Sequence, residues 1–238
     1  RASFAGGQRF AAVWPGDSSS DWSHLKGSIP MLLGLGLSGF AFAGADVGGF
    51  SDDASPELLT RWLQLGALTP FFRNHSDFGT ADQEPWAHGQ PWEELNRRAI
   101  ELRYELLPQL YKALREASRT GLPAMRPLFL DFPRDESTWR LDDQFLLGSD
   151  LLVAPVVREG QRRREVYLPA GSWYDFWNGA RLEGGQRVKV EAPLERLPLF
   201  VRGGAFVFRQ PVVSHTGQMP GQPLIVDVYP AERSEGGL

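Results

Sequence analysis

The 238-residue chain is 42% hydrophobic and 23% charged with a formal net charge of −4, enough to bury a substantial core in one large domain or two smaller ones. Its basic residues are scattered and the balance is slightly acidic, which argues against nucleic acid or an anionic membrane as partner and for a neutral one. Cysteine is absent, so disulfides, thiolate catalysis and Cys-ligated metals are excluded.

In chain order, residues 1–10 show neither the basic head nor the apolar run of a signal peptide, and read as internal to a longer chain. Phe10 to Trp14 is expected to be a strand running into the polar turn Pro15–Gly16–Asp17–Ser18. Trp22, Leu25, Ile29 and Leu33 then follow helical spacing, with Pro30 expected to kink or divide that helix. The longest apolar stretch, Ile29 to Ala45, is broken by Pro30, Gly34, Gly36 and Gly39, so it reads as buried helix and strand and not as a membrane span. Phe40 to Ala45 ends at Asp46, followed by Gly48 and Gly49: a buried strand delivering a carboxylate into a loop. Ser55 suits an N-cap with Pro56 at the first helical position, and Leu58, Trp62 and Leu65 form one apolar face of a helix that should stop before Pro70. Leu95, Ala99, Leu102, Leu106, Leu110 and Leu114 mark the longest helix, bent at Pro108 and closed by Gly121. A strand from Met125 to Phe132 and a helix from about Ser137 to Leu147 are expected to complete a last strand–helix unit.

Beyond Asp150 the texture changes to short strand-like runs, such as Glu165 to Leu168, Trp173 to Trp177 and Leu199 to Arg202, separated by Gly, Pro and Asn turns. That is the pattern of an antiparallel sandwich. The first part alternates strand and helix as a parallel sheet or barrel does, but offers roughly three units where a closed (β/α)₈ barrel needs eight. The remaining units are therefore expected on an upstream segment or another chain, because an open parallel sheet would expose its edges.

Among candidate residues, Asp17 stands three positions after Trp14 at a strand end. Two readings stay open on local pattern: a general acid whose pKa burial beside the indole raises, or a cap of the helix beginning near Asp21. Several segments, taken together, resemble glycoside hydrolase family 31, the α-glucosidase and α-xylosidase family. Arg1–Ala2–Ser3–Phe4–Ala5–Gly6–Gly7–Gln8–Arg9–Phe10 with Trp14–Pro15–Gly16–Asp17 resembles its acid/base segment, Gly44–Ala45–Asp46–Val47–Gly48–Gly49–Phe50 the next barrel-strand motif, and Phe72–Arg73–Asn74–His75 the loop supplying a sugar-binding histidine. Leu102–Arg103–Tyr104–Glu105–Leu106–Leu107–Pro108 and Arg126–Pro127–Leu128–Phe129 resemble the helix and strand that close the barrel, and Leu152–Val153–Ala154–Pro155 with Gly171–Ser172–Trp173–Tyr174–Asp175 the start of its C-terminal sandwich.

The resemblance implies α/β then all-β architecture: the C-terminal portion of a (β/α)₈ TIM barrel over 1–149, an antiparallel β-sandwich over 150–210, and a further β segment or tail over 211–238. It implies a retaining α-glucosidase acting from the non-reducing end of oligosaccharides, with no cofactor and no metal, in which one carboxylate attacks the anomeric carbon and Asp17 is the general acid/base. Arg1, Trp14, Asp46, Phe50 and His75 would bind the sugar. Read without the resemblance, Trp14 and Phe50 could be core, Asp46 a strand-end cap ordering the Gly48–Gly49 turn, and His75 a structural loop residue. The family's nucleophile segment, Trp-x-Asp-Met-Asn-Glu-like, does not occur in the sequence, so the chain alone is expected to be inactive and to require the upstream part of the same barrel. Pro15 and Ser18 depart from the Thr/Ser and Asn common in the family, without touching the carboxyl. An α-xylosidase or α-transglucosidase of the same family remains an alternative. So does a non-catalytic carbohydrate-binding fragment built on the aromatic run Trp173, Tyr174, Phe176 and Trp177.

Overall fold

The computed structural model describes residues 3–218 and 223–231. Its first part holds three parallel segments. Val13 bridges Ala43 in parallel, with the Val13 N–H donating to the Phe42 carbonyl and the Gly44 N–H to the Val13 carbonyl. Strand β1 (Asp46–Val47) pairs in parallel with β2 (Arg73–Asn74), and the Phe71 N–H donates to the Ala43 carbonyl. Gly44 is a requirement of this packing, because a Cβ there would lie 1.8 Å from the Phe71 carbonyl oxygen.

Helix α1 (Trp22–Leu37) follows the first segment and α2 (Pro56–Ala67) the second. Helix α1 passes through Pro30 undivided, so of the two expected outcomes, a kink or a division, the division does not occur. The proline withholds one amide and costs about 3 kcal/mol. Burial of Leu25, Ile29, Leu32 and Leu33, at about 1.5–3 kcal/mol each, outweighs it. Ser55 caps α2 by accepting from the Leu58 N–H at 3.3 Å, with Pro56 in the first turn, as the sequence suggests. The long periodic stretch is two helices, α3 (Trp92–Glu105) and α4 (Leu107–Thr120), joined at Leu106; Pro108 falls in the first turn of α4, where its missing N–H costs nothing.

The last expected strand–helix unit is absent. Only Met125–Arg126 forms a strand, β3, and Pro127 leads into the short helix α5 (Leu128–Asp131). In place of the helix over Ser137 to Leu147 stand a 3₁₀ turn, Glu136–Thr138, and strand β4 (Phe145–Leu147). Three consecutive apolar residues fit a strand buried on both faces as well as a helix turn, and pairing with both neighbours selects the strand.

Strand β4 turns at Gly148 into β5 (Leu151–Val153), followed by β6 (Arg163–Leu168), β7 (Ser172–Asp175), β8 (Arg181–Glu183), β9 (Gln186–Glu191) and β10 (Leu199–Arg202). An antiparallel sheet ordered β3-β4-β5-β10-β7-β8 forms, so its pairing already begins at Met125. Strand alternation divides its residues between two cores. Leu147, Leu151, Val153, Leu199 and Val201 join the helices, while Leu146, Leu152, Trp173 and Phe200 pack on Val166 and Leu168 of the β6–β9 pair. Strands β11 (Phe206–Arg209) and β12 (Ile225–Val228) form a separate antiparallel pair.

Arg61 joins the two parts. Wholly buried on α2, its guanidinium donates to the carbonyls of Ala192 at 2.7 Å, Pro193 at 3.0 Å and Gln161 at 3.2 Å. Burial lowers its pKa to about 10.

The rings of the aromatic run are wholly or half buried. Trp173 is wholly buried, the Tyr174 hydroxyl donates to the Pro230 carbonyl, and Trp177 meets Phe176 edge-on while its indole donates to the Leu197 carbonyl. Trp173 lies inside the second core, while Tyr174, Phe176 and Trp177 pack half-buried against the first.

Candidate active site

Ligands of parallel α/β sheets bind where the strands end, and here three loops lie side by side at the C-terminal ends of the three segments. The Ser18 carbonyl accepts from the Phe50 N–H at 2.6 Å and the Ser51 N–H at 3.0 Å, and the Asp77 N–H donates to the Phe50 carbonyl at 2.7 Å. The loops are thus laced by backbone bonds. Gly49 makes the lacing possible: its φ is +93°, and a Cβ would stand 2.6 Å from the Ser20 backbone nitrogen. Gln83, buried, spans the second loop from below, donating to the Gly49 carbonyl at 3.1 Å, while Asn74 donates to the Gln83 carbonyl.

Asp17 lies in the first loop, exposed. It does not cap α1. That role falls to Asp21, whose Oδ1 accepts from the His24 N–H at 2.8 Å. Burial works against ionisation of Asp21, but the bonds it accepts from the His24 N–H and from Ser23 hold its carboxyl below the usual carboxylate range. Asp17 is exposed, so the burial expected around its carboxyl is not met among the described residues, and the Trp14 ring has another partner.

That partner is Arg73, whose guanidinium lies 4.5 Å from the Trp14 ring centroid and 5.9 Å from that of Phe71. Its Nε and Nη2 both donate to Asp46 Oδ1, at 2.8 and 2.5 Å. Parallel register puts Asp46 opposite Arg73, so the strand pairing itself delivers the ion pair. The Asp46 backbone carbonyl also accepts from the Gly49 N–H at 3.1 Å, so the turn-ordering reading of Asp46 belongs to its main chain. Asp46 is only 1% exposed, and its Oδ2 is buried without a hydrogen-bond partner among the described residues. Such an oxygen suits a hydroxyl donor, since an unsatisfied buried acceptor costs about 1–3 kcal/mol.

His75 and Phe50 meet across the second and third loops, with ring centroids 5.5 Å apart at 34°. Five of the six residues singled out from the sequence thus lie in this region: Asp17 and Trp14 on the first segment, Asp46 and Phe50 on the second, His75 on the third. Arg1 lies outside the described residues. Among the described residues, no group of three or more His, Asp or Glu side chains is placed to hold a metal ion, and no helix is long and apolar enough to cross a membrane.

Two residues escaped the sequence reading. Arg73 had a signal, an arginine directly before a loop at the end of a strand neighbouring a buried aspartate. Gln83 had none, since a glutamine within a loop looks like any other.

Residues 1–113 match the family model for the glycosyl hydrolases family 31 TIM-barrel domain, and residues 121–207 that for the glycosyl hydrolase family 31 C-terminal domain. The chain belongs to glycoside hydrolase family 31. Within the family it is similar to alpha-glucosidase 2 of Bacillus thermoamyloliquefaciens, at 49% identity over 97% of this chain and 29% of the relative. The Flavobacterium johnsoniae GH31 dextranase complexed with glucose superposes with a TM-score of 0.93 at 40% identity, over 98% of this chain and 30% of the other. The GH31 alpha-xylosidase of Xanthomonas citri gives a TM-score of 0.90 at 38% identity, over 97% and 27%. The chain thus spans less than a third of the length of these relatives, and corresponds to the later part of the barrel with the C-terminal domain.

Proposed function

We propose that this chain supplies the acid/base side of a retaining exo-α-glucosidase that removes glucose from the non-reducing end of α-linked oligosaccharides. The observation that carries the reading is the placement of Asp17: an exposed carboxylate at a barrel-strand end, not engaged in capping, beside loops bearing Asp46, Phe50 and His75. In the first step a carboxylate outside this sequence attacks the anomeric carbon, the glycosidic C–O bond breaks, and the Asp17 carboxyl gives its proton to the departing oxygen. In the second, the Asp17 carboxylate takes a proton from water as that water's oxygen displaces the enzyme carboxylate. Trp14, Arg73 and Asp46 form one wall, Asp46 Oδ2 accepting a sugar hydroxyl and Arg73 fixing the carboxylate. Arg1, His75 and Phe50 add contacts to the sugar. Activity requires the rest of the barrel, with its nucleophile strand.

The test is Asp17→Ala in the enzyme whose barrel is closed around this chain. Hydrolysis of maltose should fall about 10²–10⁴-fold, the usual worth of a positioned general acid, while formation of the glycosyl-enzyme from α-glucosyl fluoride survives. Full activity on maltose would remove the assignment. An α-xylosidase reading draws on the likeness to the Xanthomonas citri structure; release of glucose from maltose against xylose from isoprimeverose, measured side by side, decides between them.

A further inference from the structure

We infer that His24 is a positioning residue for the acid/base loop, acting through the main chain that carries Asp17; this inference rests on the acid/base reading of that aspartate. The Ser19 N–H donates to His24 Nδ1 at 2.8 Å. A ring nitrogen that accepts cannot carry a proton, so the neutral imidazole holds its hydrogen on Nε2. His24 is itself fixed, because it sits in the first turn of α1 and its own N–H donates to Asp21 Oδ1 at 2.8 Å.

The loop needs such an anchor. Gly16, immediately before Asp17, has φ +112°, a conformation with wide backbone freedom. Beyond Asp17 the first fixed points are the Ser18 carbonyl, bonded to Phe50 and Ser51, and the Ser19 N–H, bonded to His24. One anchor draws the loop toward the second strand's loop and the other toward α1. Both belong to the Ser18–Ser19 peptide unit, which is thus held from two directions one residue beyond Asp17. Behind it, among the described residues, lies a cavity of about 270 Å³ whose lining includes Asp17, Ser18, His24, Ser28, Met31 and Ala45, so within this chain packing does not brace the loop on that side. Releasing the His24 bond lets the loop shift into that space, and displacement of a reacting group by about 1 Å costs on the order of 10²-fold in rate.

The experiment compares His24→Ala and His24→Asn in the closed-barrel enzyme, with Asp17→Ala alongside. Asparagine places its Oδ1 where Nδ1 stands and can accept the Ser19 N–H; alanine cannot. His24→Ala should lower kcat on maltose about 10-fold or more, leave KM nearly unchanged, and leave glycosyl-enzyme formation from α-glucosyl fluoride intact, because fluoride departs without a proton. His24→Asn should recover most of the loss. Equal losses on both substrates, no loss at all, or an asparagine variant as poor as alanine would each overturn the role of His24. Should Asp17→Ala itself fail to distinguish the two substrates, the acid/base reading falls first, and this inference with it.

Discussion

The pairing of Asp46 with Arg73 predicts an asymmetry between its two members. Asp46 is 1% exposed and its partner 28%, so the two orphans created by mutation face different solvents. Truncating Arg73 to alanine removes both donors to Asp46 Oδ1 and leaves a carboxylate whose other oxygen already lacks a partner. Breaking a buried pair in this way costs about 3–5 kcal/mol. The stacked contact with Trp14 adds about 0.5–1 kcal/mol. Asp46→Asn keeps the side chain's shape and leaves an arginine that reaches water and still faces Trp14, for which the loss of charge-assisted bonding is about 1.5–3 kcal/mol. Arg73→Ala should therefore destabilise more than Asp46→Asn, and the double variant should cost less than the sum. Urea unfolding of the protein and its three variants, followed by far-UV circular dichroism, measures all four corners of the cycle. Equal single costs, or strict additivity, would show that the pair is solvated and would refute the reasoning from burial.

The cap assignment predicts that Asp21→Ala costs about 1 kcal/mol, whereas Asp17→Ala, at an exposed position where even an ion pair contributes about 0.2–1 kcal/mol, costs less; denaturation midpoints rank them. Because folding lowers the Asp21 pKa from 3.8, its stabilisation is fully present above that value and is lost as pH falls through the lower folded one. Asp21→Ala should remove that component of the acid transition, which unfolding curves between neutral and acid pH will show. Arg61→Ala, which strands four backbone carbonyls between α2 and the sandwich, should cost about 3–5 kcal/mol and expose the loop around Pro193 to hydrogen exchange. Gly49→Ala should cost about 1–3 kcal/mol from backbone strain alone, and more because its Cβ collides with Ser20 and breaks the lacing of the loops. Unchanged thermal midpoints in that variant would mean that the second loop moves independently of the first.

Much of this arrangement was readable from residue order. Ser55, Pro56 and Gly121 mark helix ends through local chemistry that survives in the fold, whereas Pro108, which reads as a bend, instead opens a second helix. Asp17, Asp46 and His75 were found through motifs attached to strand ends, which topology then placed at the same end of one sheet. What stayed hidden depends on partners far along the chain. Phe145 to Leu147 became a strand because Met125–Arg126 and Leu151–Val153 flank it, and no window around residue 145 contains that fact for a run so short. Pro30 failed to break α1 because the burial of four neighbours outweighs one lost amide bond. The contribution of Arg73 depends on register, since a shift of one residue would face Asp46 with a neighbour of Arg73 and leave its carboxylate buried and unpaired.

The same register argument bears on how the site is completed. Among the described residues, Val13 pairs only toward Ala43 and β2 only toward β1, so the three parallel segments have an open edge on either side. Unpaired edges of a buried parallel sheet are costly in water, and barrels remove them by closure. The two edges differ in what they would deliver. A strand added beside Val13 ends next to the Asp17 loop, whereas one added beside β2 ends next to Arg73 and His75. Closure therefore brings new strand ends to the Asp17 side and to the Arg73–His75 side together. Asp46, on the central segment, is the residue least changed by it. That is consistent with Asp46 already being buried and ion-paired while Asp17 is still exposed: the central segment of the proposed site is packed by this sequence alone, whereas the Asp17 loop lies at an edge that closure would cover.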